Sequence, residues 1–439
     1  MSQAFVHWFR ASSPYIHAHR NRTFVISFPG QAVAEDGFNK LIHDIALLKS
    51  LGVRLVLVHG VRRQIDDRVQ QQGGAARFHH HLRITDAATL QYVKQAAGLV
   101  RVETEALLSL GLLGSPMAGA KIRVASGNFV TAKPLGVLEG VDYGYTGKVR
   151  RIDAQGIHQQ LQQNNLVLLS PLGYSPSGDI FNLSAVEVAT EAAIALQADK
   201  LILLTEEALL SPADHSPILQ LTTAQAAQLL EQAPGLPGPM ARMLRAAMHG
   251  CQQGVARAHL VNRHIDGVLL LELFTRDGVG ALVSAQTFET TRPANLEDIG
   301  GIMELIKPLE RQGILAPRTR ETLEMRINDY IVTERDGLII ACIALHLLPD
   351  AAGAELACLA VRPDYQNGER GQHLLGVAEQ LAREQSAPAL FVKTTQTEHW
   401  FLERGFKACQ LQDLPESLRV SYNPERNSRL LVKHLAAGH

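Results

Sequence analysis

The stretch that decides the fold is Ala354-Glu-Leu-Ala-Cys-Leu-Ala-Val-Arg-Pro-Asp-Tyr-Gln-Asn-Gly-Glu-Arg-Gly-Gln-His-Leu-Leu375. Glu355 to Val361 is short, mostly apolar and closed by Pro363, the pattern of a buried strand. Pro363-Asp364 and Gly368 to Gly371 carry turn chemistry. Leu374, Leu375, Ala378 and Leu381 then recur at helical spacing. A glycine-permissive loop that feeds a helix N-terminus presents unpaired N–H groups and the positive end of a helix dipole, which suits an anionic pyrophosphate.

The wording from Val361 to Leu375, V-R-P-D-Y-Q-x-G-x-x-G-x-x-L-L, resembles the acetyl-CoA loop of the GNAT N-acetyltransferases. Of that family's Gln/Arg-x-x-Gly-x-Gly/Ala pattern, Gln366 fills the first place and Gly371 the last. Glu369 stands where the middle glycine is usual, and Gly368, one residue earlier, offers the flexibility instead. The resemblance implies cofactor contacts at Gln366, Gly368, Arg370, Gly371 and Gln372, with backbone groups of Cys358, Leu359 and Val361 pairing a pantetheine arm like an added strand.

Outward from this stretch the GNAT order continues. A strand is expected over Thr287 to Arg292, then a helix carrying Leu296, Ile299, Ile302, Met303 and Ile306, and a second helix from Glu321 to Ile327. Asp329 to Glu334 and Leu338 to Leu345 form a hairpin pattern around Asp336-Gly337. Ala389 to Thr394 is another strand, Trp400-Phe-Leu-Glu-Arg-Gly-Phe406 resembles the family's closing helix and strand, and Ser428 to His434 is a last strand.

The larger front part has a different pattern. Thr23 to Phe28 and Val53 to Val58 are strands, separated by the helical stripe Phe38, Leu41, Ile42, Ile45 and Leu48 and followed by a helix through Ile65 and Val69. Asn165 to Ser170 and Lys200 to Thr205 bracket a helix over Ala185 to Leu196, with shorter strands at Gly127 to Thr131 and Gly144 to Arg150. Alternation of this kind predicts a parallel α/β sheet with right-handed crossovers. Leu41 to Gly60, Pro171-Leu-Gly with Phe181 to Ala185, Ala198 to Thr205 and Leu269 to Gly280 resemble the amino-acid kinase family, acetylglutamate kinases in particular. Positions that would handle phosphate are nevertheless changed. Ser27 stands for the first-strand lysine, Val61 and Arg62 for two glycines of the His-Gly-Gly-Gly-Pro turn, and Val186 for an aspartate. The segment Gly238-Pro-Met-Ala-Arg-Met243 lacks the second lysine. Phosphoryl transfer rests on positioned positive charge and phosphate-binding backbone, so this domain, residues 23–284, is expected to be regulatory and non-catalytic.

The segment Asn262 to Gly280 looks like the part of arginine-sensitive acetylglutamate kinases that binds arginine, and those proteins also carry a helix like Phe5 to Arg20. By that likeness Tyr15, His264, Glu272 and Gly278 form an L-arginine effector site, Glu272 pairing bidentately with a guanidinium. The plain alternatives are core packing for Tyr15, a loop histidine at 264 and an acid at a strand end for Glu272. The basic, amphipathic residues 1–22 read as a surface or subunit-joining helix rather than a transit peptide. His79-His80-His81 reads as a solvated loop, because adjacent residues do not share a strand or helix face.

An amino-acid kinase-like parallel-sheet sandwich domain followed by a GNAT domain (285–439) resembles the bacterial N-acetylglutamate synthases. The matching pieces are Pro308 to Glu321, Glu355 to Pro363, Trp400 to Phe406, Leu414-Pro-Glu416 and Arg426 to Val432. The resemblance implies acetyl transfer from acetyl-CoA to the α-amine of L-glutamate, with glutamate carboxylates at Arg318 and Arg426 and a hydroxyl from Ser428. Glu355, an acid in an apolar strand, is the candidate general base, and Thr394 the candidate for protonating the thiolate or orienting water. Cys358 is read as a small core residue, not a nucleophile. The resemblance further implies arginine inhibition and a homo-oligomer, a hexameric ring. Composition is consistent with that. At 439 residues with a formal net charge of −1, the chain shows no basic bias toward nucleic acid. Four cysteines without metal-ligand spacing fit free thiols in a reducing cytoplasm, no metal is expected, and no apolar run reaches membrane-spanning length.

Overall fold

The computed structural model describes residues 2–35, 37–109, 122–233, 235–275, 278–285, 289–335, 337–349, 353–366 and 369–435. Gly368, Asp336 and Thr287 of the expectations above lie outside the described residues, as do the side chains of Phe5 and Trp8. The chain divides into two compact units, residues 1–286 and 287–439.

The first unit is built on an eight-stranded sheet. Its order is Gln220–Thr222, Ala281–Ser284, Arg257–Asn262, Lys200–Thr205, Thr23–Phe28, Arg54–His59, Leu166–Leu169 and Val124–Ala125. Pairing is parallel throughout except between Arg257–Asn262 and Ala281–Ser284. All six residues of Thr23–Phe28 and of Lys200–Thr205 are buried, as strands covered on both faces must be. Alternation divides the core. Val25, Val56, Val58, Leu201 and Leu203 pack on one face with Val188, Ala189 and Leu244. Phe24, Ile26, Leu55, Leu57 and Ile202 pack on the other with Ile42, Ile45 and Leu269. Each such side chain contributes about 1.5–3 kcal/mol when buried. The shorter strands fall slightly later than expected, at Val130–Pro134 and Gly147–Ile152, in a separate four-stranded sheet. Glu272 is not at a strand end: it lies in the helix Val268–Phe274.

The second unit is a seven-stranded sheet ordered Glu289–Pro293, Tyr330–Arg335, Leu338–Leu347, Ala354–Val361, Ala389–Thr394, Arg429–His434 and Lys407–Ala408. One pair, Ala354–Val361 with Ala389–Thr394, is parallel; the others are antiparallel. The helices Ile299–Arg311 and Arg320–Met325 belong to one core, and Arg370–Glu384 to another. No helix among the described residues is long and apolar enough to cross a membrane.

The central strand Ala354–Val361 carries a bulge. Its register with Leu338–Leu347 shifts between Cys342 and Ala344, and Cys358 sits at φ 54°, the left-handed region. The consequence is a change of face. Ala354, Leu356, Leu359 and Val361 pack with Leu374 and Leu375, whereas Ala357, Cys358 and Ala360 all pack with Ile302, Ile306 and Leu323. Two successive residues, Ala357 and Cys358, therefore share one side, which a regular strand forbids.

Candidate functional site

The central strand pairs with Ala389–Thr394 at only three positions, Ala354↔Leu390, Glu355↔Phe391 and Leu356↔Val392. It then runs on to Val361 while its other edge stays paired, through Cys342↔Ala360 and Ala341↔Val361. Among the described residues no strand pairs with Ala357–Val361 on the open side. The result is a notch edged by backbone N–H and C=O groups that need partners, a place where an extended chain can add as a strand.

The notch leads to the N-terminus of helix Arg370–Glu384, whose first turn has no side-chain cap and no acid. A Cβ on Gly371 would lie 3.3 Å from Trp400, so the helix start and Trp400 approach closely. Arg404 stacks 4.0 Å from the Trp400 ring and donates to Gln372 at 3.4 Å. Gln366 donates its amide to the Val361 carbonyl (3.2 Å), tying the loop to the strand end. Arg370, expected at the cofactor, has its side chain engaged within the protein. Its guanidinium forks onto Glu289 at 2.6–3.0 Å and donates to the Tyr365 carbonyl.

The face that the bulge rearranges carries the polar groups. Glu355 pairs with Lys393 at 3.1 Å, and Lys393 also donates to Ser421 (3.2 Å). Directly across the ladder from Glu355 is His346, whose Nδ1 lies 2.7 Å from Asp329. Cys342 Sγ donates to the Cys358 carbonyl at 3.4 Å. The Tyr330 hydroxyl is pushed above its ordinary value by burial and by Cys358 beside it. Burial opposes the charge of Arg318, but the neighbouring Cys358 and Tyr330 outweigh it and hold the guanidinium above its usual range.

Both substrate-candidate arginines act on the loop after Ile299–Arg311. Arg318 donates to the Ala316 carbonyl (2.7 Å), and Arg426 to those of Gly313 (3.1 Å) and Ile314 (3.2 Å). Residues far apart in sequence thus meet at one loop. Ser428 lies just past Arg426, its carbonyl accepting from Tyr422 at 3.4 Å. The Thr394 hydroxyl is engaged locally: it contacts Thr397 Oγ1 at 2.8 Å and accepts the Thr397 N–H at 3.1 Å, shaping the turn into Glu398–Leu402. Lys393, His346 and Tyr330 were not singled out from sequence. A lysine inside Ala-Leu-Phe-Val-Lys-Thr is the same kind of signal that marked Glu355.

In the first unit Glu272 is buried. It accepts from His259 Nδ1 (2.6 Å) and from the N–H groups of Val279 (2.7 Å) and Gly280 (2.8 Å). Burial and the adjacent Lys200 lower the His259 pKa to about 4, so the ring is neutral and donates Nδ1–H to an ionised carboxylate. Lys200 Nζ lies 3.4 Å from the other ring nitrogen. Gly278 has φ 62°, and a Cβ there would fall 2.5 Å from Glu272, which leaves glycine as the residue that fits. The helix Ser2–His19 docks on the same segment. His19 donates to the Leu273 carbonyl (2.7 Å), and Tyr15 stacks 6.5 Å from His19. Tyr15, Glu272 and Gly278 are thus gathered around one helix, with His19, Lys200 and His259 as additions that sequence reasoning missed. His264 contacts Glu206 at 3.1 Å, beside an Arg263 that bridges Glu35 and Glu206.

A separate cavity of about 460 Å³ in this unit is lined by Ser27, Val61 and Val186, the positions where the kinase likeness called for Lys, Gly and Asp.

Comparison with known proteins agrees with both halves. Residues 22–262 match the amino acid kinase family and residues 301–406 the acetyltransferase (GNAT) family. The chain is 50% identical over 431 residues to the amino-acid acetyltransferase of Pseudomonas fluorescens (strain Pf0-1), covering 98% of this chain and 99% of that one. It is 51% identical to that of Pseudomonas putida (strain GB-1), with the same coverage. Among solved structures it is similar to N-acetylglutamate synthase from Neisseria gonorrhoeae complexed with coenzyme A and L-arginine. That match has 38% identity, a TM-score of 0.90, and covers 98% of this chain and 99% of that one. The same Neisseria enzyme complexed with coenzyme A and N-acetyl-glutamate matches with a TM-score of 0.63. A kinase-like sheet, a GNAT sheet opened beside its central strand, and half-identical relatives over nearly the full length together show that the chain belongs to the amino-acid acetyltransferase family.

Proposed function

We propose that this chain transfers the acetyl group of acetyl-CoA to the α-amine of L-glutamate, the first step of arginine biosynthesis, and that L-arginine inhibits it through the kinase-like unit. The observation that carries this reading is the notch where Ala354–Val361 leaves its parallel partner and leads to an uncapped helix N-terminus. The solved Neisseria enzyme, 38% identical, carries coenzyme A together with L-arginine or N-acetyl-glutamate.

In this reading the pantetheine arm pairs with backbone groups of Cys358, Leu359 and Val361. The pyrophosphate takes the N–H groups at the start of Arg370–Glu384, around Gly371 and Gln372. Glutamate enters with its carboxylates toward Arg318 and Arg426, with Ser428 beside them. Glu355, paired with Lys393 at 3.1 Å, accepts a proton from the ammonium, directly or through water. The neutral amine attacks the thioester carbonyl, the developing oxyanion takes a backbone N–H of the bulged strand, and as the C–S bond breaks the nitrogen gives its extra proton to the departing thiolate. Thr394 is assigned to the thiolate's proton or to water. The attack is direct, so no acyl-cysteine forms at Cys358.

The kinase-like unit acts as the sensor in this proposal. Arginine's guanidinium is read by Glu272, with Tyr15 covering it, Gly278 leaving room and His264 at the margin. Inhibition requires arginine to favour one state of the enzyme over another. A homo-oligomer, a hexameric ring joined by the N-terminal helix, belongs to the same reading; Val6 and Phe9 of that helix are exposed. Sedimentation of the full chain measures it.

The deciding experiment is thiol release from acetyl-CoA with a panel of free amino acids, with and without arginine. Release with glutamate, reduced by arginine, is expected. Release with another amino acid and none with glutamate would sink the substrate assignment.

A further inference from the structure

The His79-His80-His81 run does not behave as a regular strand would make it. His79 ends the strand Phe78–His79, and His80 and His81 have φ values of 46° and 63°. Two successive left-handed residues cancel the alternation that sends neighbours to opposite faces. The rings of His79 and His80 come to 4.1 Å between centroids. Glu139, at φ 52° in the turn between Val137–Leu138 and Val141–Asp142, reaches them from a second hairpin, its Oε2 2.8 Å from His80 Nε2. One ligand atom from each of His79, His80 and Glu139 lies within 4.8 Å of the others. Three non-glycine residues, His80, His81 and Glu139, hold left-handed backbone at these two hairpin tips.

A second observation concerns the support of His79. The hydroxyl of the buried Tyr143 lies 2.8 Å from His79 Nδ1 and 3.3 Å from the His79 carbonyl, and His79 Nε2 has no hydrogen-bond partner among the described residues. A ring held from behind at one nitrogen so that the other can ligate is the arrangement metal-binding histidines adopt.

We propose that His79, His80 and Glu139 form a surface site for a borderline divalent transition cation such as Zn²⁺, with water completing the coordination. Two imidazoles and one carboxylate suit Zn²⁺, Ni²⁺ or Cu²⁺ rather than Mg²⁺ or Ca²⁺. Tetrahedral ligation at about 2.0–2.1 Å separates ligand atoms by about 3.3 Å, so side-chain rotation alone can convert the present contacts into bonds. The cation would replace the proton shared by His80 and Glu139. It would also tie the two hairpins together next to the first unit's cavity. The cavity is lined in part by His81, Leu82 and Arg83, and Arg242 donates to the His81 carbonyl at 3.2 Å.

The test uses the full chain, stripped with chelator and titrated with Zn²⁺ by calorimetry and with Co²⁺ by visible absorption. One saturable equivalent per chain is expected. His80→Ala and Glu139→Gln should each weaken it at least about tenfold, and Tyr143→Phe, which keeps all three ligands, about tenfold. Glu139 is exposed, so its variant keeps the test open if a histidine variant fails to fold. No saturable binding by the native chain would overturn the proposal. Undiminished binding in both His80→Ala and Glu139→Gln would do so too, since the chain has 18 histidines that could hold a cation elsewhere.

Discussion

Each unit places one carboxylate inside an apolar element, and the two are held in opposite ways. Glu272 of the first unit has its capacity filled by His259 and two backbone N–H groups. Glu355 of the second has Lys393 at 3.1 Å and stands beside an unpaired strand edge. The first is an acid used to fix structure, with acceptor positions that an effector must share or displace. The second has one ionic partner among the described residues, which leaves acceptor positions for a substrate ammonium. An acid in an apolar run therefore signals importance, and its donors decide which kind.

The sharpest way to break that contrast is to neutralise both. Glu355→Gln should lower kcat in thiol release by about 10²–10⁴-fold, the usual worth of a positioned base, while leaving acetyl-CoA affinity intact. A loss of less than fivefold would remove Glu355 as the base. Arg426→Ala is expected to raise the glutamate requirement by about 10–100-fold, equivalent to one lost charged hydrogen bond, with coenzyme A binding unchanged. Unaltered glutamate dependence would leave Arg426 with only its hold on Gly313 and Ile314.

For the first unit, Glu272→Ala should reduce stability by about 2–4 kcal/mol in chemical denaturation, because it strands His259 and two N–H groups in the interior. The milder Glu272→Gln should keep uninhibited turnover and blunt the arginine response. Retained arginine inhibition there would separate Glu272 from the effector site. Acid should also act on this unit. Burial lowers His19, His59 and His259 to about 4 from an ordinary 6.5. Above pH 6.5 both folded and unfolded rings are neutral, and the stability is fully present. Between 6.5 and 4 only the unfolded chain gains protons, so stability falls as pH falls through that window. Thermal unfolding followed from pH 7 to 4.5 measures it; a flat midpoint would contradict it. The smallest effect is expected at Cys358. Cys358→Ala should leave kcat within about threefold, and a burst of acyl-enzyme in the native chain would contradict direct attack.

Much of this was legible in the chain. The runs Thr23–Phe28, Arg54–His59 and Lys200–Thr205 announce buried parallel strands, and Gln366 to Gly371 announces an anion-accepting loop. Glu355 stood out because an ionisable group in an apolar segment is costly unless it is paired, and Glu272 through the likeness to arginine-binding kinases. Their partners were harder to see. Lys393 reaches Glu355 from the neighbouring strand, and His346 stands across the ladder from it; His259 reaches Glu272 from another strand, with Lys200 of a second strand behind the ring. Arg370 and His264 were placed by resemblance alone, which gave no sign of the carboxylates that engage their side chains, Glu289 and Glu206.

Sequence by itself determined the elements and the two folds, because hydrophobic period and turn chemistry are local properties that each segment carries with it. Only the tertiary structure decided which side chains meet. The bulge at Cys358 moves one side chain to the opposite face, and the left-handed pair His80-His81 brings two rings together. Both are single-residue changes of backbone hand, imposed by long-range pairing and invisible to any periodic pattern.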